Sequence, residues 1–346
     1  MHLGLDHGEV RQRFKEFQIS ANQGINNLNN LADNELNDLM DDYQATYSSR
    51  SEDLRQSQQQ ATLERYKQMH VPRIGHIPSP RPHGSFRWMY CQVNGLASAS
   101  SRKSKLHDTW ALAEQYDVDG IAFVEVGVNW NKFKTSGRLS SWFEPLAERE
   151  IRSTESFNLL APVVTSRQQG GTALLLRHGL LEYSRNTSHD SRNLGRWSSW
   201  LFHNNPDHRT RVIAAYCPGN KKHGGPQTVY TQHLNEINNN GWDTTPYSLF
   251  VNDLLAALRC WRAAGDRIIL FIDSNEHILN GPIAQQLSHP SIALREVTHN
   301  YWPAGSEPNT HFRGSQPIDG IYTSPEIDAT SFLSLSFHEG VETIGP

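Results

Sequence analysis

The chain is poor in the residues that would hold it together covalently or through a transition metal. Only three cysteines occur in 346 residues, Cys91, Cys217 and Cys260. They cannot all pair, and the first two lie in apolar runs expected to be core strands. This argues against a disulfide framework and for a reducing, intracellular setting. There is no Cys-x-x-Cys, no His-Glu-x-x-His and no zinc spacing, and the 17 histidines are scattered. No run approaches the roughly 20 apolar residues of a membrane helix. Met1-His2-Leu3-Gly4-Leu5-Asp6 has no apolar signal core, so no address is legible and no membrane partner is expected.

An excess of positive charge is also lacking. Lys and Arg number 32 against 36 Asp and Glu, a formal net charge of −4, an unpromising balance for a nucleic-acid binder. The deficit sits in residues 1–70, with eleven acids and seven bases, and the remainder balances at 25 of each. That remainder carries local basic clusters: Arg102-Lys103-Ser104-Lys105, the span Arg185 to Arg211 with Arg192, Arg196 and Arg209, and Lys221-Lys222-His223. They read either as ordinary solvated loops or, if they share a face, as an electrostatic track for a phosphate backbone.

Residues 1–70 are rich in Asn, Gln and Asp. Within them Ile25, Leu28, Ala32, Leu36, Leu39 and Tyr43 recur at steps of three and four, as on an amphipathic helix, with a weaker continuation from Leu54 to Met69. This acidic helical arm, partly disordered, is either a loosely ordered extension or a protein-binding segment over residues 22–70. Residues 71–84 hold four prolines and two glycines and read as a linker. From residue 85 to 346 strand and helix signals alternate, as an α/β domain requires. Helices are expected over Ser104–Tyr116, Thr228–Asn238 and Tyr247–Ala264, the last with Leu254, Leu255, Leu258 and Trp261 facing inward. Gly170-Gly171 reads as a turn before the strand Thr172–Leu176.

Several apolar runs end on a polar side chain. The clearest is Arg267-Ile268-Ile269-Leu270-Phe271-Ile272, a buried strand that opens into Asp273-Ser274-Asn275. Asp273 and Asn275 are two residues apart on extended backbone and project to one side. A carboxylate able to steer a proton beside an amide able to donate to a phosphate oxygen suits phosphate chemistry, although Asx residues at strand ends also form simple turns. Around this triplet fall Arg87 to Leu96 with Gln92 and Asn94, Gly120 to Val124 closing on Glu125, and Arg211 to Gly219 with Tyr216. Further on lie Thr310-His311-Phe312-Arg313 and Pro317 to Tyr322 with Asp319. Glu125 reads as a metal ligand or as a solvated strand-end acid, and Tyr216 as a phosphate contact or as a half-buried aromatic with a wet hydroxyl. Asp319, in an apolar run, needs a partner for its charge.

These five stretches, in this order, resemble those of the endonuclease/exonuclease/phosphatase superfamily, and most of all the apurinic-endonuclease-like domains of non-long-terminal-repeat retrotransposons. The resemblance runs from about Ser85 onward and implies a four-layer α/β sandwich. It implies Mg²⁺, with Mn²⁺ as a substitute, held by Glu125 with Asn94. It further implies Tyr216 on the scissile phosphate, and Asp273 and Asn275 handling a proton and a phosphate oxygen. Asp319 would orient the catalytic histidine, and Gln92, Arg313 and Trp302 would contact substrate. Gln92 departs from the family's Asn, and its longer amide shifts the oxygen by about a bond length.

The implied function is metal-dependent phosphodiester hydrolysis, with DNA the favoured substrate. The alternatives are a catalytically silent module that binds nucleic acid or protein, and a small-molecule phosphatase of the same fold. The family also has a Ser-Asp-His triplet followed by a last strand. Here Ser336-Phe337-His338-Glu339-Gly340 leads to Pro346. His338 fits the histidine's place poorly, because Phe337 stands where Asp is needed. The chain is therefore expected to stop short of that pair, with its C-terminal strand missing and its activity low.

Overall fold

A computed structural model describes residues 74–75, 81–82, 84–96, 99–134, 138–161, 165–203, 209–219, 225, 227–303, 307–310 and 316–335, with backbone alone at 99–101 and 103. The arm at 1–70, Arg313 and His338 lie outside these residues. The strands are β1 (Ile74–Gly75), β2 (Trp88–Gln92), β3 (Gly120–Val124), β4 (Arg152–Ser156), β5 (Thr172–Leu176) and β6 (Ser184–His189). They continue as β7 (Trp197–His203), β8 (Arg209–Tyr216), β9 (Arg267–Asp273), β10 (Arg295–Glu296), β11 (Asp319–Thr323) and β12 (Leu333–Ser334). The helices are α1 (Ala99–Gln115), α2 (Leu139–Phe143), α3 (Leu180–Tyr183), α4 (Val229–Asn239), α5 (Pro246–Ala263) and α6 (Pro282–Leu287).

Two sheets result, one in the order β2-β3-β5-β4 and one in the order β10-β11-β9-β8-β7-β6. The period of two along each strand sorts side chains between layers. In β3 and β5, Ile121, Phe123, Ala173 and Leu175 pack with Leu106 and Trp110 of α1 and Leu139 and Phe143 of α2. Their neighbours Ala122, Leu174 and Leu176 turn the other way, onto Trp200, Phe202, Val212, Ala214 and Phe271 of the second sheet. In β9, Ile268, Leu270 and Ile272 meet Phe250, Leu254, Leu255 and Leu258 of α5. Strands buried on both faces read as continuous apolar runs, which is why Gly120–Val124 and Arg267–Ile272 show no alternation. The layers are helix, sheet, sheet and helix: the four-layer sandwich.

Local signals fix the helix ends. Thr245 caps α5, its Oγ1 accepting from Ser248 N at 3.1 Å, and Pro246 takes the first helical position, where no N–H is needed. Helix α1 begins at Ala99, about a turn ahead of the expected Ser104. The Pro-rich stretch packs onto the sandwich where it is described: Ile74 is buried and β1 pairs with β12, while Arg81 forms an ion pair with Asp119.

The basic clusters form no free track among the described residues. Arg196 is fully buried, 2.6 Å from Asp190 and 2.8 Å from Asp253, and Arg192 also reaches Asp253. Arg209 and Arg211 share Asp266, at 2.7 and 2.9 Å. Arg102 lies over the Trp142 ring. A guanidinium removed from water needs a carboxylate, so the charges of Arg192, Arg196, Arg209 and Arg211 are spent inside the fold, whereas Arg185 is exposed and Lys221-Lys222-His223 lie outside the described residues. Among the described residues no helix is long and apolar enough to cross a membrane.

Phe271 ties the inter-sheet core to the strand ends, stacked on Tyr90 with ring centroids 6.1 Å apart and tilted against Trp88 at 5.8 Å. Phe271→Ala should cost about 3–5 kcal/mol in urea unfolding. A loss below about 1 kcal/mol would show that this core does not join the sheets.

Candidate active site

Strand register sets one wall of the site. Tyr216 is paired with Asp273 across the parallel β8–β9 ladder, and Asp319 is paired with Asp273 across the antiparallel β9–β11 ladder. Three polar side chains thus stand in one row on adjacent strands, about 4.8 Å apart. Asp273 is almost wholly buried, at 1 % exposure.

The facing wall comes from the other sheet. Gln92 closes β2 in register with Val124, and Glu125 follows β3. Gln92 Nε2 donates to Glu125 Oε2 at 3.0 Å and to Asp273 Oδ2 at 3.2 Å, joining the two sheets through one amide. The loops that follow β2 and β3 run side by side, with Gly95 N donating to Glu125 O at 2.7 Å. A Cβ on Gly127 would lie 2.7 Å from Gly95 Cα, so this approach requires glycine.

Three non-glycine residues here adopt left-handed backbone: Asn94 (φ 43°), Glu125 (φ 53°) and Asn275 (φ 53°). Asn tolerates this region, whereas for Glu the cost is of order 1 kcal/mol or more. Strain of this kind persists where surrounding structure enforces it. Lys105, buried on α1, donates to the carbonyls of Val93 at 2.7 Å, Gly95 at 3.1 Å and Asn94 at 3.3 Å, holding the Asn94 turn.

Crowded acids shift one another. Burial, then Asp319 and Glu125, push the Asp273 carboxyl well above the usual carboxylate range. Burial also raises Asp319, to about 6, against the opposing hydrogen bonds of Tyr90 and Thr310. Tyr90 donates to Asp319 Oδ1. Asp319 Oδ2 is sealed from solvent and has no hydrogen-bond partner among the described residues. Tyr216 is pushed well above an ordinary phenol by burial and by Glu125 and Asp273, with Glu125 and Asn275 in hydrogen-bonding reach of its hydroxyl.

The structure therefore brings Gln92, Glu125, Tyr216, Asp273, Asn275 and Asp319 to one seam, with Asn94 in the adjoining turn. Asn275 spends one amide proton on Cys217 O at 2.7 Å, and its backbone N–H donates to Asp273 Oδ1 at 3.0 Å. Trp302 is half-buried against the core under α5, edge-on to His299. Tyr90 and Lys105 were missed by sequence reasoning. Tyr90 was findable as the residue two before Gln92 on the same strand face. Lys105 was findable from its place beside Leu106 and Thr109 on the buried side of α1.

Among the described residues no group of three or more His, Cys, Asp or Glu side chains is placed so that it could hold a metal ion. The hard oxygens of Glu125 and Asp273, with the orphaned Asp319 oxygen nearby, suit a cation such as Mg²⁺ that keeps several waters.

No family model and no curated protein matches this chain. The chain is similar in fold to several solved structures. The human Nocturnin catalytic domain with bound sulfate is 15% identical with a TM-score of 0.48, over 72% of this chain and 87% of that one. A Neisseria 3′ phosphatase bound to a product DNA hairpin is 13% identical with a TM-score of 0.47, over 70% and 87%. The endonuclease domain of TRAS1, a telomere-specific non-LTR retrotransposon, is 11% identical with a TM-score of 0.39, over 70% and 85%.

The raised Asp319 carboxyl gives a signed pH effect. Its folded-state pKa of about 6 exceeds the ordinary value near 4. The stability it contributes is therefore full below pH ~4 and lost as pH rises to ~6 and beyond. Asp319→Asn, a mimic of the neutral acid, should raise the melting temperature more at pH 8 than at pH 5 in EDTA. A difference that does not change with pH would contradict the shift.

Proposed function

We propose that this chain hydrolyses phosphodiester bonds with a divalent cation, Mg²⁺ or in its place Mn²⁺, as an endonuclease of the retrotransposon type acting on DNA. The observation that carries the reading is the Tyr216–Asp273–Asp319 row set against Glu125 across the seam. Catalytic groups must converge on one reacting atom, and distant stretches of sequence do so here. DNA as substrate rests on the sequence resemblance.

Glu125 would hold the cation, with Asn94 in the turn beside it. When bound, the cation supplies positive charge against the charge that builds on the phosphate. The chain's own residues do the rest. Tyr216 and the second amide proton of Asn275 donate to non-bridging oxygens. Asp273, in its ionised form, takes the proton of the attacking water as the new P–O bond forms; the bond to the sugar oxygen breaks, and that oxygen takes a proton from solvent. Asp319, held at Oδ1 by Tyr90, keeps Oδ2 for one donor. The buried thiols Cys91 and Cys217 suit a reducing, intracellular setting.

Nicking of supercoiled plasmid tests this. With Mg²⁺ or Mn²⁺ the chain should convert supercoiled to open-circular DNA. Glu125→Gln and Asp273→Asn should each slow it roughly 100-fold or more without loss of the folded state by circular dichroism. Wild-type rates in either variant would refute the site. Turnover of p-nitrophenyl phosphate without nicking would favour a phosphatase instead.

A further inference from the structure

Gln92 stands where the two sheets meet. Nε2, the donor end of the amide, lies against one carboxyl oxygen of each acid. Both of its protons are used, one on Glu125 at 3.0 Å and one on Asp273 at 3.2 Å. A small hard cation held by Glu125 would need the same Glu125 oxygen at about 2 Å. The ground between the two acids is thus already taken, by a neutral group.

We infer that the Gln92 amide nitrogen is a built-in occupant of the cation's place, which divalent cations must displace and which sets their affinity low. This inference rests on the cation-dependent reading of the site given above. A neutral amide satisfies the acids' hydrogen-bonding capacity but brings no net positive charge. The amide therefore does not offset the negative charge that the acids carry when ionised, and a cation at high enough concentration wins. The geometry also explains why an amide one methylene longer than Asn is tolerated: the extra reach lets one group span acids from two different sheets.

Mn²⁺ binding to the folded chain, followed by the electron paramagnetic resonance signal of free Mn²⁺ and by thermal melting, tests this without an activity assay. Gln92→Met keeps the length and removes the amide. It should lower the melting temperature in EDTA and bind Mn²⁺ about tenfold more tightly, as expected when a hydrogen bond to a charged group no longer competes. Glu125→Gln should abolish binding. Should Gln92→Met fail to fold, Gln92→Asn, too short to span both acids, should bind Mn²⁺ with an affinity above wild type. Binding that Glu125→Gln abolishes but that is unchanged or weaker in the Gln92 variants would overturn the built-in occupant and leave the cation site standing. Binding in Gln92→Met where the wild type shows none would support the inference in its strongest form. No Mn²⁺ binding in either protein, or binding indifferent to Glu125→Gln, would overturn both readings.

Discussion

Like charges held close together in a place from which water is largely excluded are the constraint on which the rest of this structure turns. Asp273 and Asp319 are opposite one another in the β9–β11 ladder, and Glu125 reaches toward them from the other sheet. Three carboxylates cannot all be ionised there without a counterweight. Around them the fold assembles a phenol on Asp319, an amide across Glu125 and Asp273, and a backbone N–H on Asp273. None of these carries positive charge. Several arginines are instead locked into ion pairs elsewhere, as Arg196 is with Asp190 and Asp253. The hydrogen-bond partners named for these acids among the described residues include no cationic side chain, an arrangement that the proposed cation would complete.

The backbone reflects the same demand. Left-handed residues at Asn94, Glu125 and Asn275 turn the chain sharply at three strand ends that border one seam. The two parallel ladders, β2–β3 and β8–β9, end their strands side by side, so the loops beyond them cluster. Rigidity comes from the layers beneath, where each buried strand feeds one core with its odd residues and another with its even ones. Lys105 extends that rigidity into the Asn94 turn with three hydrogen bonds from one ammonium group. Backbone cost at the rim is thus met by packing in the interior, the pattern expected where geometry serves chemistry.

Much of the sandwich was legible in the sequence because strands buried on both faces leave long apolar runs, and because polar residues ending such runs stand out. Asp273, Asp319, Glu125 and Tyr216 stood out on that ground, with other readings open, and the roles expected of them came from the resemblance. What was hidden lies in relations between distant residues. Lys105 sits in a run of basic residues that reads as solvated, yet the turn of α1 carries it inward, and only its place beside Leu106 and Thr109 marks that side as buried. Tyr90 looks like one more aromatic in a core strand until Asp319 arrives from some 230 positions away. The pairing of Ile74–Gly75 with Leu333–Ser334 was masked by prolines on either side, which favour extended backbone as much in a packed strand as in a linker. Charge clusters misled for a simpler reason: sequence records a cation but not the acid it folds against.

The central claim is that these acids form a divalent-cation site, and crystallography with Mn²⁺ tests it most directly. Anomalous difference density should place an ion about 2 Å from a Glu125 carboxylate oxygen, with the Gln92 amide moved off that oxygen. An ion bound only elsewhere, or a Glu125–Gln92–Asp273 bridge left intact at saturating Mn²⁺, would contradict the account.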